Sequence, residues 1–300
     1  MAFIVAGLAR DLGHPALLES YQRLVLRAFG ANPAAQLFLY LTGNESQHTL
    51  DVAIKALRPA RWSVVPANHH SMTAPSGTCL PRGQTWKDAS YQRTALRWWG
   101  ALNASWAMVL SWERVFAVRF HTIFFSRPDL LFTHAMGPLC THTHYDGRTW
   151  YVPGLGSPDH LWLMPRHVAA AVLTSVDTFL ACRPGDDCCR LQQSGSPLDS
   201  LRFDEWKFSF WPLTFWTRHA NFTVSTALRG SAVLLAKTAA DKSFGISAAN
   251  GAAHIGCGKP NCGRRSSRRS SCDRATLEQS AAALRADAYS RARETNINIT

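Results

Sequence analysis

Strand-like and helix-like patterns alternate along the first 65 residues of the chain. In chain order they are a strand at 2–8, a helix from Pro15 to about Gly30, a strand at 36–41, a helix from about Thr49 to Leu57 and a strand at 62–65. Strands and helices that alternate at this spacing predict parallel βαβ units with helices on both faces of the sheet. The sequence therefore predicts an α/β fold built on a mostly parallel sheet.

The middle of the chain continues these patterns. A long helix from Thr85 to about Val115 precedes a fourth strand at 120–126, which ends at Pro128 because proline cannot donate to a central ladder. The later predictions are strands at 149–152 and 160–164, a helix from Pro165 to about Leu180, a helical segment at 199–219 and closing strands at 221–225 and 231–236. The loop at 67–83 is rich in Pro, Gly, Ser and Thr and longer than a connection needs, so we expect it to border a site.

Positive charge is concentrated in the last sixth of the chain. The net charge is +12, and residues 251–300 hold nine Lys and Arg against four Asp and Glu. The run GRRSSRRSSCDR is small, polar and basic, which predicts an α/β domain over 1–238 and a disordered tail over 239–300. No aromatic residues interleave with these arginines to stack on bases, and we expect no nucleic acid on the core. Nucleic-acid binding through the tail stays an alternative, and it predicts strong salt dependence.

Cysteines, glycosylation sequons and hydropathy bear on the compartment. Cys182, Cys188 and Cys189 flank a short loop and predict a local disulfide, and Cys257 and Cys262 enclose GKPN. The sequons begin at Asn44, Asn103, Asn221 and Asn298, and the one at Asn103 falls inside a predicted helix. The longest charge-free helical stretch, 98–112, is fifteen residues, whereas a membrane span needs about twenty, so no transmembrane segment is predicted. The first ten residues are a poor signal peptide; with an upstream signal or anchor we expect the Golgi or ER lumen, and otherwise the cytoplasm.

The tripeptide Arg127-Pro128-Asp129, named here the RPD turn, places two charges inside an apolar segment, FFSRPDLLF. Ligands of an open parallel sheet gather beyond the carboxyl ends of its strands. There an arginine can bind phosphate oxygens and a carboxylate can hold a divalent cation. The alternative is an Arg–Asp pair that braces a surface turn.

Further candidate residues follow other predicted strands. Gly7 and Arg10 follow the first strand, where glycine allows close backbone approach and the arginine could reach a phosphate. Asp159 and His160 end the turn PGLGSPD, so Asp159 could act as general base towards an acceptor hydroxyl, with Glu205 a weaker candidate. In each case the alternative is an ordinary turn residue.

The segment CTHTHYDG is the densest group of ligand-type side chains. It contains Cys140, His142, His144 and Asp146, and a strand-like His-x-His would put both imidazoles on one face, as metal sites use. Nothing in the sequence supplies further ligands in a defined geometry. The competing interpretation is a polar loop between strands.

Five short motifs together resemble a group of glycosyltransferase-like proteins similar to GT-A-fold enzymes. They are VAGLAR, SWERV, RPDLLF, WYVPG and SPDHLWLMPR, and they cover about residues 2–220. The resemblance implies a GT-A-like, Rossmann-related fold that transfers a sugar from a nucleotide-sugar donor to a glycan or glycoconjugate acceptor. It implies donor binding by Gly7, Arg10 and Arg127, and catalytic roles for Asp129 and Asp159 with His160 on the acceptor side.

The RPD turn departs from the GT-A pattern at one position. In GT-A enzymes a strand ends in Asp-x-Asp, whose carboxylates hold a metal on the donor diphosphate, and Arg127 stands where the first Asp would be. Loss of one ligand and gain of a positive charge should weaken Mn²⁺ or Mg²⁺ binding at Asp129 and strengthen direct attraction of the diphosphate. A non-catalytic glycan- or nucleotide-binding domain of the same fold is therefore the alternative.

Overall fold

Seven strands form the central sheet of the structure, a computed structural model of the chain. In chain order they are β1 (Ala2–Leu8), β2 (Gln36–Thr42), β3 (Arg61–Val65), β4 (Thr122–Ser126), β6 (Thr149–Tyr151), β7 (Leu161–Pro165) and β8 (Thr223–Ser225). The structure describes residues 1–9, 12–26, 35–43, 46–81, 87–132, 149–152 and 161–193, together with 212, 215–216, 220, 222–225, 233–238 and 244–248.

The sheet is mixed but mostly parallel. Its strand order is β3-β2-β1-β4-β7-β6-β8, in which β1, β2, β3 and β4 run parallel to one another and β7 runs antiparallel to both of its neighbours. β2 and β3 extend the sheet on one side of β1, and β4 lies on the other side. This confirms the predicted α/β fold with a mostly parallel sheet.

Helices cover both faces of the sheet. They are α1 (Pro15–Ser20, continued as a π-helix over Tyr21–Leu26), α2 (Gln47–Leu57), α3 (Ala89–Phe116), α4 (Arg166–Leu173), α5 (Ser175–Ala181) and α6 (Asp187–Gln193). Alternation along β1 divides the core, because Ala2, Ile4 and Ala6 pack on the α3, α4 and α5 side while Phe3 and Val5 pack on the α1 and α2 side. Among the described helices, none is long and apolar enough to cross a bilayer.

A smaller sheet branches from the main one at the RPD turn. β5 (Leu130–Phe132) follows the turn directly and pairs antiparallel with β9 (Val233–Thr238), which pairs with β10 (Phe244–Ala248). The turn therefore marks the point where the chain leaves the main sheet. β10 lies beyond the domain boundary predicted at residue 238, and residues 249–300 are outside the described residues.

Capping residues explain where the helices begin. The side chain of Asp88 accepts a hydrogen bond from the Ser90 backbone N–H, so α3 begins at Ala89 and not at the predicted Thr85. Ser46 caps α2 in the same way through the Thr49 N–H, so α2 begins at Gln47, two residues before the predicted start at Thr49. These caps are local and could have been predicted from the sequence.

The predicted helix from Pro165 to Leu180 is divided in two. α4 ends at Leu173, Thr174 is non-helical, and α5 begins at Ser175. The Thr174 hydroxyl donates to the Ala170 carbonyl at 2.8 Å and the Ser175 hydroxyl donates to the Val172 carbonyl at 2.6 Å. Side-chain hydroxyls that bond the preceding turn compete with the backbone and bend helices, which accounts for the break.

Candidate functional site

The carboxyl ends of β1 and β4 meet at a topological switch point. The strands are adjacent and parallel, with Val5 opposite Ser126, and from this line the sheet continues to β2 on one side and to β7 on the other. In open α/β sheets the connections diverge at such a point and leave a crevice outside the strand ends, where ligands bind. Gly7 and the RPD turn, both predicted as site residues, lie at this position.

Gly7 touches the RPD turn directly. Its φ of +141° is a conformation that residues with a side chain rarely adopt, and a Cβ added to it would lie 3.2 Å from the Cδ of Pro128. Gly7 therefore allows a close approach, and the group that approaches it is the Pro128 ring; donor binding at Gly7 stays a prediction.

Arg127 and Asp129 form a two-bond ion pair across the turn. The Arg127 Nε donates to Asp129 Oδ1 at 2.9 Å, and its Nη2 donates to Oδ2 at 2.6 Å. The Asp129 side chain is 3% exposed and the Arg127 side chain 22%, so the carboxylate is enclosed and the guanidinium reaches solvent. Parallel bonds of this kind satisfy both oxygens of the carboxylate. The charges that the sequence placed in an apolar segment thus compensate each other.

Two consecutive residues of the first helix hold both flanks of the turn. The Tyr21 hydroxyl lies 2.8 Å from the Ser126 Oγ and donates to the Arg127 backbone carbonyl, and the Ser20 Oγ accepts from the Phe132 backbone N–H at 3.3 Å. Tyr21 is 1% exposed, and burial raises the pKa of its phenol far above the ordinary value, so the hydroxyl remains protonated. The sequence does not predict this role for Tyr21, because its partners lie 105 and 106 positions away in the chain.

A second polar contact lies near the same end of the sheet, where the parallel strands have their carboxyl ends. The Tyr40 hydroxyl of β2 lies 2.7 Å from the Nε2 of His70, in the loop that follows β3. That loop was predicted to border a site, and its described residues, 66–81, contain no helix or strand. Burial, and to a lesser degree the neighbouring His69, lowers the pKa of His70, while burial raises the pKa of Tyr40. Tyr40 pairs in register with Ala6, the residue before Gly7, which brings the loop close to the switch point.

The loop is tied down at its far end by a disulfide. Cys79 bonds Cys189, 110 residues later, and Cys182 bonds Cys188 across a separation of 6. The predicted local disulfide is confirmed, whereas the partner of Cys79 was not predicted. Cys182, Cys188 and Asp186 lie close enough together to suggest metal ligands, but both sulfurs are joined in the disulfide and offer no thiolate.

Several predicted residues fall outside the described part of the chain. They are Arg10, Cys140, His142, His144, Asp146, Asp159, His160 and Glu205, with the sequons at Asn44, Asn221 and Asn298. Leu161, which follows Asp159 and His160 in the sequence, opens β7 and pairs with Ser126 beside the RPD turn. The remaining sequon residue, Asn103, lies within α3 and donates to both carboxylate oxygens of Asp177, so its side chain is already engaged.

Comparison with known proteins adds no relatives. No protein-family model matches the chain, and no curated protein matches its sequence. The function must therefore be inferred from the residues at the switch point.

Proposed function

We propose that this chain is a glycosyltransferase-like protein that binds a nucleotide sugar at the carboxyl ends of β1 and β4. The observation that supports this most directly is the contact between Gly7 and Pro128, which puts the RPD turn at a topological switch point. The sequence motifs that resemble GT-A enzymes supply the reaction, transfer of the donor sugar to a glycan or glycoconjugate.

Arg127 is the proposed partner of the donor diphosphate. It is the more exposed member of its ion pair, and a guanidinium can bind phosphate oxygens through two parallel hydrogen bonds. Asp129 would keep Arg127 in place before the donor arrives. A diphosphate that engages Arg127 would also free the Asp129 carboxylate for a donor hydroxyl or for Mn²⁺ or Mg²⁺.

Charge on the leaving diphosphate would be neutralised mainly by arginine. Both oxygens of Asp129 accept from Arg127, so a metal at Asp129 would have to displace one of these bonds. We propose that Arg10 adds a second cation on the donor side and that transfer does not depend strictly on a metal. His142 and His144 remain a separate metal-site hypothesis.

On the acceptor side we propose Asp159 as general base, with His160 beside it. This assignment is motivated by Leu161, the residue after His160. Leu161 pairs with Ser126 at the end of β4, where the RPD turn begins. The two disulfides favour an oxidising compartment, so we propose action in the ER or Golgi lumen.

A non-catalytic nucleotide- or glycan-binding domain is the second candidate. The specific observation in its favour is that Asp129, the one carboxylate of the RPD turn, is paired with Arg127 and buried. Such a domain would bind the donor and fail to release nucleoside diphosphate from it.

The test is ligand-dependent thermal stability of the whole chain. We would measure the midpoint of thermal unfolding with a panel of nucleoside diphosphates and nucleotide sugars, with and without Mn²⁺. A ligand present at about 100 times its Kd stabilises the folded state by about 2.7 kcal/mol. The double variant Arg127→Gln/Asp129→Asn removes both charges together, which avoids a buried unpaired carboxylate. The matched control is Glu113→Gln/Arg166→Gln, a second mostly buried ion pair at the opposite end of the sheet.

We expect a nucleotide-selective increase in midpoint in the wild type and in the control, and its loss in the Arg127/Asp129 variant. Release of nucleoside diphosphate that is abolished by Asp159→Asn would support transfer. A shift without turnover would favour the non-catalytic domain. The absence of any nucleotide-dependent shift would overturn the transferase proposal and leave only the glycan-binding form of the non-catalytic domain.

A further inference from the structure

The end of the sheet opposite the RPD turn carries an exposed apolar surface between arginines. It consists of Arg114, Val115, Phe116, Val118 and Arg119, named here the amino-end patch. Val115 is 69% exposed, Phe116 54% and Val118 44%. They lie where α3 ends and the chain turns into β4, and the turn is made by Ala117 in a left-handed conformation with φ +51°.

The exposed side chains differ from the rest of the same helix. Upstream in α3, large apolar residues such as Trp99, Leu102 and Trp106 are buried in the core. The last turn instead presents Val115 and Phe116 outward, and Phe116 is covered only in part by its contact with Trp112. Contiguous exposed apolar side chains on a described surface mark an interaction site more often than scattered ones do.

The charge around the patch is positive. Arg114 and Arg119 are both exposed, and the one carboxylate among residues 108–123, Glu113, is mostly buried and bonded to Arg166. Arg61, at the start of β3, donates to Ser111 at 2.8 Å and adds a further exposed arginine beside this end of α3. A partner for this patch must therefore accept apolar side chains and carry negative charge.

We propose that the amino-end patch docks on an anionic lipid membrane surface. A helix end that presents Val and Phe between arginines has the composition of segments that insert apolar side chains at the headgroup boundary while cations bind lipid phosphates. A nucleic acid fits less well, because two of the three apolar side chains are valines and cannot stack on bases. Docking here would turn the candidate nucleotide site away from the membrane, and the inference does not depend on the proposed function.

The test is cosedimentation of the full chain with vesicles of phosphatidylcholine, with and without about one-quarter phosphatidylserine. The apolar variant is Val115→Ser/Phe116→Ser, and its control is Met72→Ser, a 38% exposed residue in the loop at the other end of the sheet. The charge variant is Arg114→Gln/Arg119→Gln, and its control is Arg93→Gln, an exposed arginine near the start of α3. All variants keep the basic tail, so a difference between variant and control isolates the patch.

We expect binding only to the anionic vesicles and a loss of about fivefold per arginine removed, with little change in the Arg93 control. The apolar variant should lose at least as much vesicle binding. It should also lose the part of the binding that persists at high salt, because salt screens only the charge interactions. Equal binding by the patch variants and their controls, or no binding by the wild type, would overturn the proposal. Patch-dependent capture of duplex DNA or of an acidic peptide without vesicle binding would assign the surface to that partner instead. Unchanged thermal midpoints would verify that the variants are folded.

Discussion

At the scale of single residues, Gly7 and Tyr21 position the RPD turn by contacts that a local pattern does not contain. Gly7 leaves room for Pro128, which lies 121 positions later in the chain. Tyr21 places a hydroxyl between Ser126 and the Arg127 carbonyl, in a region closed to water. Each residue is an ordinary member of its own element, and its importance comes from what it meets across the sheet.

Replacement of Gly7 by alanine should destabilise the fold by about 2–3 kcal/mol, because the new Cβ combines backbone strain with contact against Pro128. The free energy of unfolding in urea measures this. Gly77→Ala is the matched control, since Gly77 also has a positive φ, +81°, but has open space around it. We expect Gly77→Ala to lower the free energy of unfolding by about 1 kcal/mol, from backbone strain alone. Equal losses at the two positions would mean that the Pro128 contact is unimportant.

Tyr21→Phe should cost about 1–3 kcal/mol, because the Arg127 carbonyl loses its phenolic donor and the buried Ser126 hydroxyl loses the phenolic oxygen as a partner. A double-mutant cycle with Ser126→Ala, followed by urea unfolding, separates the pair from each single effect. We expect a coupling energy of at least about 0.5 kcal/mol. Additive losses would show that the two hydroxyls act independently.

At the scale of elements, the loop over residues 66–81 is held on α3 and β2 by side chains. His70 bonds Tyr40, and a Cβ on Gly100 of α3 would lie 2.9 Å from His70 Cβ and Cγ. The Arg97 guanidinium of α3 also donates to the Ala67 carbonyl at 3.3 Å. The composition of the loop predicted its length and irregularity, but not this docking.

Docking of the loop should weaken in mild acid. The pKa of folded His70 is lowered from the ordinary 6.5, chiefly by burial and also by His69, so the folded state favours the neutral imidazole. The stability that neutral His70 contributes is fully present above the pKa that His70 has in the unfolded chain. It is lost as the pH falls through the lower pKa that His70 has in the folded chain. We expect the urea midpoint to fall between about pH 7 and pH 5, and to fall less in His70→Gln. His48→Gln, at an exposed position in α2, is the control; an identical pH dependence in both variants would contradict the role of His70.

At the scale of the whole molecule, two disulfides of very different span meet at α6. Cys79–Cys189 closes a separation of 110 residues and encloses α3, β4 and the RPD turn, whereas Cys182–Cys188 closes 6. Cross-links constrain the unfolded chain more as the closed loop lengthens. The long-range bond therefore ties the loop over residues 66–81 to α6.

Removal of the long-range disulfide by Cys79→Ser/Cys189→Ser should cost about 4–5 kcal/mol, against about 2–3 kcal/mol for Cys182→Ser/Cys188→Ser. Paired replacements are needed because Cys188 and Cys189 are adjacent, and a single change would leave a free thiol beside the other bond. Urea unfolding without reductant measures both. A larger loss from the short-range pair would contradict the loop-length argument.

The sequence by itself determined the type and order of most elements and hence the parallel βαβ framework, because hydrophobic period, glycine and proline act within a few residues. It also located the RPD turn at a strand end and predicted a local disulfide among Cys182, Cys188 and Cys189, of which the structure pairs Cys182 with Cys188. Only the tertiary structure decided that Arg127 pairs with Asp129, that Pro128 packs on Gly7 and that Cys79 reaches Cys189. The Gly7–Pro128 and Cys79–Cys189 contacts depend on where the sheet and its helices bring distant segments together, and neither residue of such a pair carries a local pattern that identifies its partner. The Arg127–Asp129 pair is local and was one of two interpretations of the sequence, and the burial of Asp129 in the folded chain decided between them.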